Sequence, residues 1–368
     1  MKVTAKVRKI DEELAYRSTY IRVGSDKTIL APLYASTKNV PASDVTEIYR
    51  NYTKDGLAKA AGEFNEEGRL NSELKAKKTD DLNVCFVDYN DSSELSKDEF
   101  RLLMDLQYQN SDIAMTPIWS GLIKIKQKEN LLDSVLEWNK RAIEIIETLN
   151  NKSVMGTLSM GMPRTMIGDV LKSYIDQGVT LFAIDARNRF VDSHDTWMRE
   201  VIRNIKDYKM LDETFLYVVN PRAENFSHNA EIVLARDFLN AGYGFDVIGG
   251  GHIPNPGAAL AKKKIASAGE PFCRKFDEGS YGYIKMPESE AVKALQVPQY
   301  KVRDEMKNYN LVRQADETSK LAQMLIKERT IEPYLRTKDM VKTINIDGLK
   351  KYRKDVFEDK KIKSKWFD

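Results

Sequence analysis

Val84-Cys85-Phe86-Val87-Asp88 is four apolar residues closed by a carboxylate, and the pattern recurs down the chain. Leu181-Phe182-Ala183-Ile184-Asp185 repeats it. Phe215-Leu216-Tyr217-Val218-Val219-Asn220 ends on an amide, and Phe245-Asp246-Val247-Ile248-Gly249 places its acid near the start. Ile29 to Tyr34, Ile113 to Trp119 and Val154 to Met160 are further largely apolar runs of six or seven residues. Amphipathic stretches lie between them: Ser96 to Gln109, Leu131 to Leu149, Met166 to Gln177, Trp197 to Tyr208 and Ala230 to Asn240. Short buried strands alternating with helices predict βαβ units and a parallel sheet. Seven strands are marked, and an eighth is expected between Val45 and Lys77. Eight units over residues 28–256 would close a (β/α)8 TIM barrel. The competing arrangement is an open doubly wound sheet, against which stands the lack of a G-x-G-x-x-G after the first strand.

The flanks differ from this centre. Residues 1–27 alternate apolar and polar (Val3, Ala5, Val7, then Ala15 to Val23), which predicts an antiparallel β segment. Residues 257–368 predict an α-rich extension, with a small helix at Ala258 to Ala268 and a turn at Gly279-Ser280-Tyr281-Gly282-Tyr283 leading into a short strand. From Lys301 onward there are 18 Lys+Arg against 12 Asp+Glu, although the whole chain carries only +3. A basic surplus of this kind suits a phosphate backbone, and interspersed acids suit a solvated helical face equally.

No run of 18 apolar residues exists and the first residues lack the apolar core of a signal peptide, so a cytoplasmic protein is expected. Two cysteines, Cys85 and Cys273, fit a reducing compartment better than a disulfide framework. The histidines are His194, His228 and His252, without C-x-x-C or H-x-x-x-H spacing, so no metal site is expected.

In a barrel the C-terminal ends of the strands carry the chemistry. Asp88, Trp119, Ser159, Asp185, Asn220 and Asp246 fall at or near such ends. Around Asp246 the chain reads Gly242-Tyr243-Gly244-Phe245-Asp246-Val247-Ile248-Gly249-Gly250-Gly251-His252. This segment resembles the last barrel strand of the tRNA-guanine transglycosylase superfamily, which includes the DNA 7-deazaguanine transglycosylases. Val84 to Asp88 with its polar turn resembles that family's "TDSGSFQ" strand end. Val154 to Gly161 resembles the strand ending in "VVQGG", and Asp169 to Asp185 the approach to "GVGS". The resemblance covers roughly residues 28–250 in order and spacing. It implies Asp246 as nucleophile, Asp88 as acid/base, and a base pocket drawn from Ser159, Met160, Gly161, Asp185, Arg187, Trp119, Asn220, Gly249, Gly250 and His252. A second Phe-Asp at Phe276-Asp277 makes Asp277 the alternative nucleophile. The departures are Ser159-Met160-Gly161 in place of "QGG", Ile184-Asp185-Ala186-Arg187 in place of "GVGS", and no zinc cluster.

The chemistry implied is base exchange at C1′, in which a carboxylate attacks the sugar and a second acid moves protons. No cofactor is needed. Trp119, Met160 and Tyr281 are candidates for stacking on a flipped base. The expected activity is therefore a guanine exchange in DNA or tRNA, with a 7-deazaguanine-type free base as second substrate and a homodimer or a heteromeric partner possible. Two alternatives stand beside it: a non-catalytic nucleic-acid-binding relative, and a barrel glycosidase or lyase that uses Asp88 and Asp185 on a small substrate.

Overall fold

The computed structural model describes residues 2–75, 80–124, 130–149, 151–227, 229–253, 270–343 and 346–358. It is a mixed α/β protein built around parallel strands. At the N-terminus β1 (Val3–Ile10), β2 (Arg17–Val23) and β3 (Lys27–Ala31) form a three-stranded antiparallel sheet. The apolar run expected as one strand over Ile29 to Tyr34 is divided. Its first half pairs antiparallel with β2, the chain passes Pro32, and β4 (Leu33–Tyr34) begins a parallel ladder.

The parallel strands are β4, β5 (Ser36–Thr37), β6 (Val45–Tyr52), β7 (Leu82–Tyr89), β8 (Ile113–Met115), β9 (Ser153–Ser159), β10 (Leu181–Arg189) and β11 (Phe215–Pro221), followed after β12 (Ile232–Leu234) by β13 (Val247–Ile248). One ladder runs β4-β13-β11-β10-β9-β8 and another β5-β6-β7. They share the stretch 33–37 at one side, and at the other an isolated parallel bridge joins Asp88 to Ile118, just beyond β8. The missing strand expected after Val45 is β6.

Among the described residues, seven helices lie between these strands. They are α1 (Lys54–Gly62), α2 (Phe64–Leu74), α3 (Lys97–Gln109), α4 (Ser120–Ile123), α5 (Leu131–Leu149), α6 (Ile167–Asp176) and α7 (Asp195–Asp207). Helix α3 begins where a capping box stops the preceding turn: Ser96 accepts from the Glu99 amide while the Glu99 side chain accepts from the Ser96 amide. The stretch Ala230 to Asn240, read as a helix, is instead the short β12 and a 3₁₀ segment at Phe238–Tyr243. β12 pairs with β15 (Gly282–Pro287), which pairs with β14 (Phe272–Asp277). The helix expected at Ala258 to Ala268 lies outside the described residues. The C-terminal region is helical at Glu288–Leu295, Val302–Lys327 and Ile346–Phe357.

Strand alternation sorts the apolar residues into two clusters. One collects Leu33, Val45, Val84, Phe86, Met115, Met155, Ala183, Phe215, Tyr217 and Val247, with Val3, Ile21 and Ile29 of the antiparallel sheet packed onto them. The other collects residues of the opposite parity, such as Ile48, Val87, Leu158, Ile184, Val218 and Ile248, with the helices. Among the described residues no helix is long and apolar enough to cross a membrane. Cys85 and Cys273 are both buried and free.

Candidate functional site

On β7, Val84 and Phe86 face the first cluster, and the same parity carries Asp88 to that face at the strand's C-terminal end. On β10, Leu181 and Ala183 do the same for Asp185. Both acids are nearly inaccessible, Asp88 at 2% and Asp185 at 1%. After Asp185 the β10–β11 register breaks, and pairing resumes only at Arg189 with Pro221. Arg187 and Asn188 take φ of 54° and 55°, and Asn220 on β11 takes 56°. Such left-handed residues are uncommon outside glycine and concentrate at functional sites. The break turns Arg187 back, so that its Nη1 lies 3.8 Å from Asp88 Oδ2 and 3.8 Å from Asp185 Oδ2. The two carboxylates thus converge on one guanidinium.

Their remaining contacts differ. Asp88 accepts from Tyr49 Oη at 3.0 Å and from the Ser120 amide at 3.2 Å, one bond to each oxygen. Asp185 Oδ1 accepts from Asn220 Nδ2 at 2.9 Å and from the Arg187 amide at 3.1 Å. Its Oδ2 is buried and accepts no hydrogen bond. Burial pushes Asp185 up to about 6; Arg187 opposes this shift and the Asp88 charge adds to it. Burial also raises Asp88, against the opposing effects of Ser120, Arg187 and Tyr49.

A third carboxylate completes the cluster. Glu47 on β6 is 3% exposed and accepts from Tyr217 Oη at 2.6 Å, the Gly250 amide at 2.8 Å and His252 Nε2 at 2.6 Å. Gly249 is a glycine for this reason, while Gly250 has room for a side-chain methyl. A Cβ on Gly249 would fall 1.9 Å from Glu47 Oε2, and one on Gly250 3.4 Å from Oε1. His252 stacks on Tyr49, with ring centroids 4.7 Å apart and planes at 4°. Its amide donates to Asn220 Oδ1 at 2.9 Å, so Asn220 links it to Asp185.

Asp246 is not among these groups. Val247 faces the first cluster, so Asp246 faces the other side of β13, at its start rather than its end. It is fully buried and ion-paired with Arg17, and accepts from Thr19 Oγ1 at 2.6 Å and the Leu216 amide at 2.8 Å. Every one of these partners belongs to the scaffold, and the pairing of Asp246 with Asp88 in one pocket is corrected. Asp277 ends β14 in the antiparallel sheet, where it accepts from the Ser280 amide at 2.9 Å and caps that turn. It too stands apart from the cluster.

The other expected pocket residues divide. Ser159 is the ladder partner of Asp185 and, with Pro117, Trp119, Trp138 and Met162, lines a small slot against helix α5. Gly161 lies near Arg187, and a Cβ there would meet Ile123 at 2.5 Å. Met160 packs in the outer core, as does Trp119, which stacks on Trp138 at 4.5 Å and donates to the Asp91 carbonyl. Tyr281 is fully buried and bonded to Glu317. A stacking role for Met160 and Tyr281 is thereby corrected to a packing one. Glu47 and Tyr49 went unnoticed in the sequence. They alternate on a strand whose inner face turns from Val45 to polar residues, and that alternation was the available signal. Among the described residues no group of three His, Cys, Asp or Glu side chains could hold a metal ion.

No family model matches this chain, and no curated protein does. Among solved structures, the YdjI aldolase from Escherichia coli K12 superposes with a TM-score of 0.33 at 11% identity, covering 79% of this chain and 91% of that one. At that level of similarity the function has to be argued from the residues.

Proposed function

We propose that the chain is an enzyme that breaks and re-forms a glycosidic bond at the C-terminal mouth of a closed eight-stranded parallel barrel. The pairings in circuit support a closed arrangement: 33–37 to β6, β6 to β7, β7 to the stretch after β8, and onward through β9, β10, β11 and β13 back to β4. The single observation that carries the activity is the convergence of Asp88 and Asp185 on Arg187. Each lies 3.8 Å from the same nitrogen, so their oxygens are no farther apart than twice that distance. Carboxyl pairs separated by ~5–5.5 Å perform double displacement at a sugar carbon, and pairs at ~6.5–9.5 Å direct a second reactant instead.

Roles follow from the contacts. Asp185 has one oxygen pinned by Asn220 and the Arg187 amide and the other without a hydrogen bond, the arrangement a nucleophile requires. Its Oδ2 attacks C1′, a C–O ester bond forms, and the C1′–N bond electrons leave on the base nitrogen. Asp88, with its raised pKa, supplies the proton that nitrogen takes. An incoming base then attacks C1′, the carboxylate leaves, and the base gives up its N–H proton. Arg187 balances the charge passing between the two acids. In this reading the substrate is a guanine nucleotide in DNA or tRNA and the incoming group a guanine or 7-deazaguanine-type base, as the resemblance implies.

The test is incorporation of radiolabelled guanine into a tRNA transcript or a duplex DNA, with a denaturing gel to trap the protein–nucleic acid adduct when free base is withheld. Incorporation and adduct are expected from the native chain, and neither from Asp185→Asn. Absence of both from the native chain overturns exchange. A second reading, hydrolysis of a small glycoside, is favoured by one observation: the pair it needs, Asp88 with Asp185, is the pair that meets. Release of an aryl glycoside's phenol without guanine incorporation would select it.

A further inference from the structure

We infer that His252 is the general base of the second half-reaction, held in one tautomer by the buried carboxylate of Glu47. The inference rests on the glycosyl-transfer reading and extends it, because that reading assigns a proton donor for the leaving base but no acceptor for the incoming one.

Three restraints fix this imidazole. Glu47 Oε1 is 2.6 Å from Nε2. The Tyr49 ring lies parallel against one face of it. The His252 amide is bonded to Asn220, whose other end holds Asp185. Glu47 already accepts from Tyr217 Oη and the Gly250 amide, and a carboxylate can only accept, so Nε2 must carry the hydrogen. In the neutral ring the lone pair is then on Nδ1. The His252 side chain is 25% exposed while Glu47 is 1%, so the imidazole stands between a buried anion and the opening.

Placing Glu47 there is costly. A carboxylate beside the apolar interior loses its hydration, and only its three donors offset the loss. Gly249 keeps a side chain away from it. A histidine with no task could be held by a backbone carbonyl. A buried carboxylate does more, because it stabilises the imidazolium formed when the ring takes a proton. The charged and titratable groups around the ring are Glu47 and Tyr49 from β6, Tyr217 beyond Glu47, Asp88 behind Tyr49, and Asp185 with Arg187 across Asn220.

In the balanced sequence, Asp88 gives its proton to the departing base in the first half. In the second half the N–H of the incoming base passes its proton to His252 Nδ1 as its nitrogen bonds to C1′ and Asp185 is released. Solvent carries the proton from His252 back to Asp88 between turnovers.

Two measurements test this. Long-range ¹⁵N–¹H correlation spectra at a pH where the ring is neutral are expected to show Nε2–H in the native chain and a tautomer mixture in Glu47→Gln. A native Nδ1–H tautomer overturns the dyad, and this readout needs no activity. Single-turnover kinetics on His252→Gln with a guanine-containing tRNA transcript are expected to leave the release of base and the adduct intact. Incorporation of free guanine should fall about 100-fold or more, so the adduct accumulates, and added imidazole should restore part of the rate. Equal slowing of both halves, or incorporation unchanged, overturns the role. If the native chain neither releases nor incorporates guanine, the glycosyl-transfer reading fails, and this role for His252 fails with it; the Glu47–His252 tautomer is still decided by the spectra.

Discussion

Replacing Asp246 by Asn separates a structural acid from a chemical one. Asp246 supplies the counter-charge of Arg17, both residues are at most 1% exposed, and Arg17 Nε and Nη1 have no hydrogen-bond partner of their own. Asn keeps one acceptor oxygen where Thr19 and the Leu216 amide use two, and it leaves the guanidinium uncompensated in the interior. Removing one partner of a buried pair costs about 3–5 kcal/mol. At an unfolding entropy of ~2.1 cal/mol/K per residue, a cooperative unit of 368 residues would melt lower by about 4–6 °C. Calorimetry measures that shift, and guanine incorporation at 25 °C measures the chemistry. The expected result is a lowered Tm with incorporation within about threefold of native, because a scaffold defect leaves the folded fraction competent. A double substitution, Arg17→Met with Asp246→Leu, should recover most of the stability, since apolar replacement of both charges removes the desolvation cost. The reasoning is refuted if Asp246→Asn melts like the native chain and loses incorporation by about 10³ or more.

On the proposed mechanism Asp185 would set the acid limb of the reaction. Its carboxyl is pushed up to about 6, the attacking form is ionised, and so the rate should fall about tenfold per pH unit below pH 6 in a pH–rate profile. The same shift bears on stability. A carboxyl raised from 3.8 to about 6 in the folded state favours folding fully below the unfolded pKa and loses that contribution as pH rises through 6. Asp185→Asn should therefore raise Tm at pH 8 relative to native, by an amount reflecting about 3 kcal/mol, and change it little at pH 4. Arg187→Leu removes the cation that opposes the shift, so its acid limb should move above pH 6. Gly249→Ala should destabilise far more than Gly250→Ala in urea unfolding, because its methyl lands 1.9 Å from a buried Glu47 oxygen where the other meets one at 3.4 Å.

The strand–helix rhythm was legible because most of these strands bury both faces, which leaves continuous apolar runs such as Val84 to Val87 and Phe215 to Val219. The stretch that failed was β6, and the reason is chemical. Val45-Thr46-Glu47-Ile48-Tyr49-Arg50 carries two site residues on its inner face, and the polarity the site needs erases the strand's apolar pattern. Asp246 failed for a different reason. Its Phe-Asp sequence resembles the start of a last barrel strand that carries a nucleophile, but side-chain direction depends on parity, and Val247 holds the inward position. A one-residue displacement is invisible in composition and moves a carboxylate to the opposite face of the strand. Asp88 and Asp185 were found because each closes an apolar run, and the even step from its strand's inward residues puts each on the inner face. Their convergence was not legible, since it depends on the register break after Asp185 that turns Arg187 back.

The charge of the mouth limits what can enter it. Asp88 and Asp185 share Arg187, and Glu47 has no guanidinium within 4 Å among the described residues, so the carboxylates of the mouth outnumber its guanidinium. A phosphate would be repelled there, whereas a base and its sugar are neutral. A nucleic acid would thus insert one flipped nucleoside and keep its backbone at the rim. The C-terminal basic surplus supplies less to that rim than its count implies. Lys307, Arg313, Arg336, Lys338 and Lys350 lie 2.5–3.7 Å from Asp304, Glu278, Glu332, Glu317 and Glu332 respectively, and Arg303 is paired with Glu288. A cation already facing a carboxylate releases few counterions on meeting a phosphate. Since each neutralised phosphate adds ~0.9 to the slope of log K against log salt for duplex DNA, binding of a guanine-containing duplex should show a shallow slope, about −3 or less steep. Fluorescence anisotropy over 50–300 mM KCl measures it. A slope steeper than about −5 would mean that six or so phosphates are engaged, and it would sink the argument that nucleoside insertion, not backbone tracking, dominates recognition.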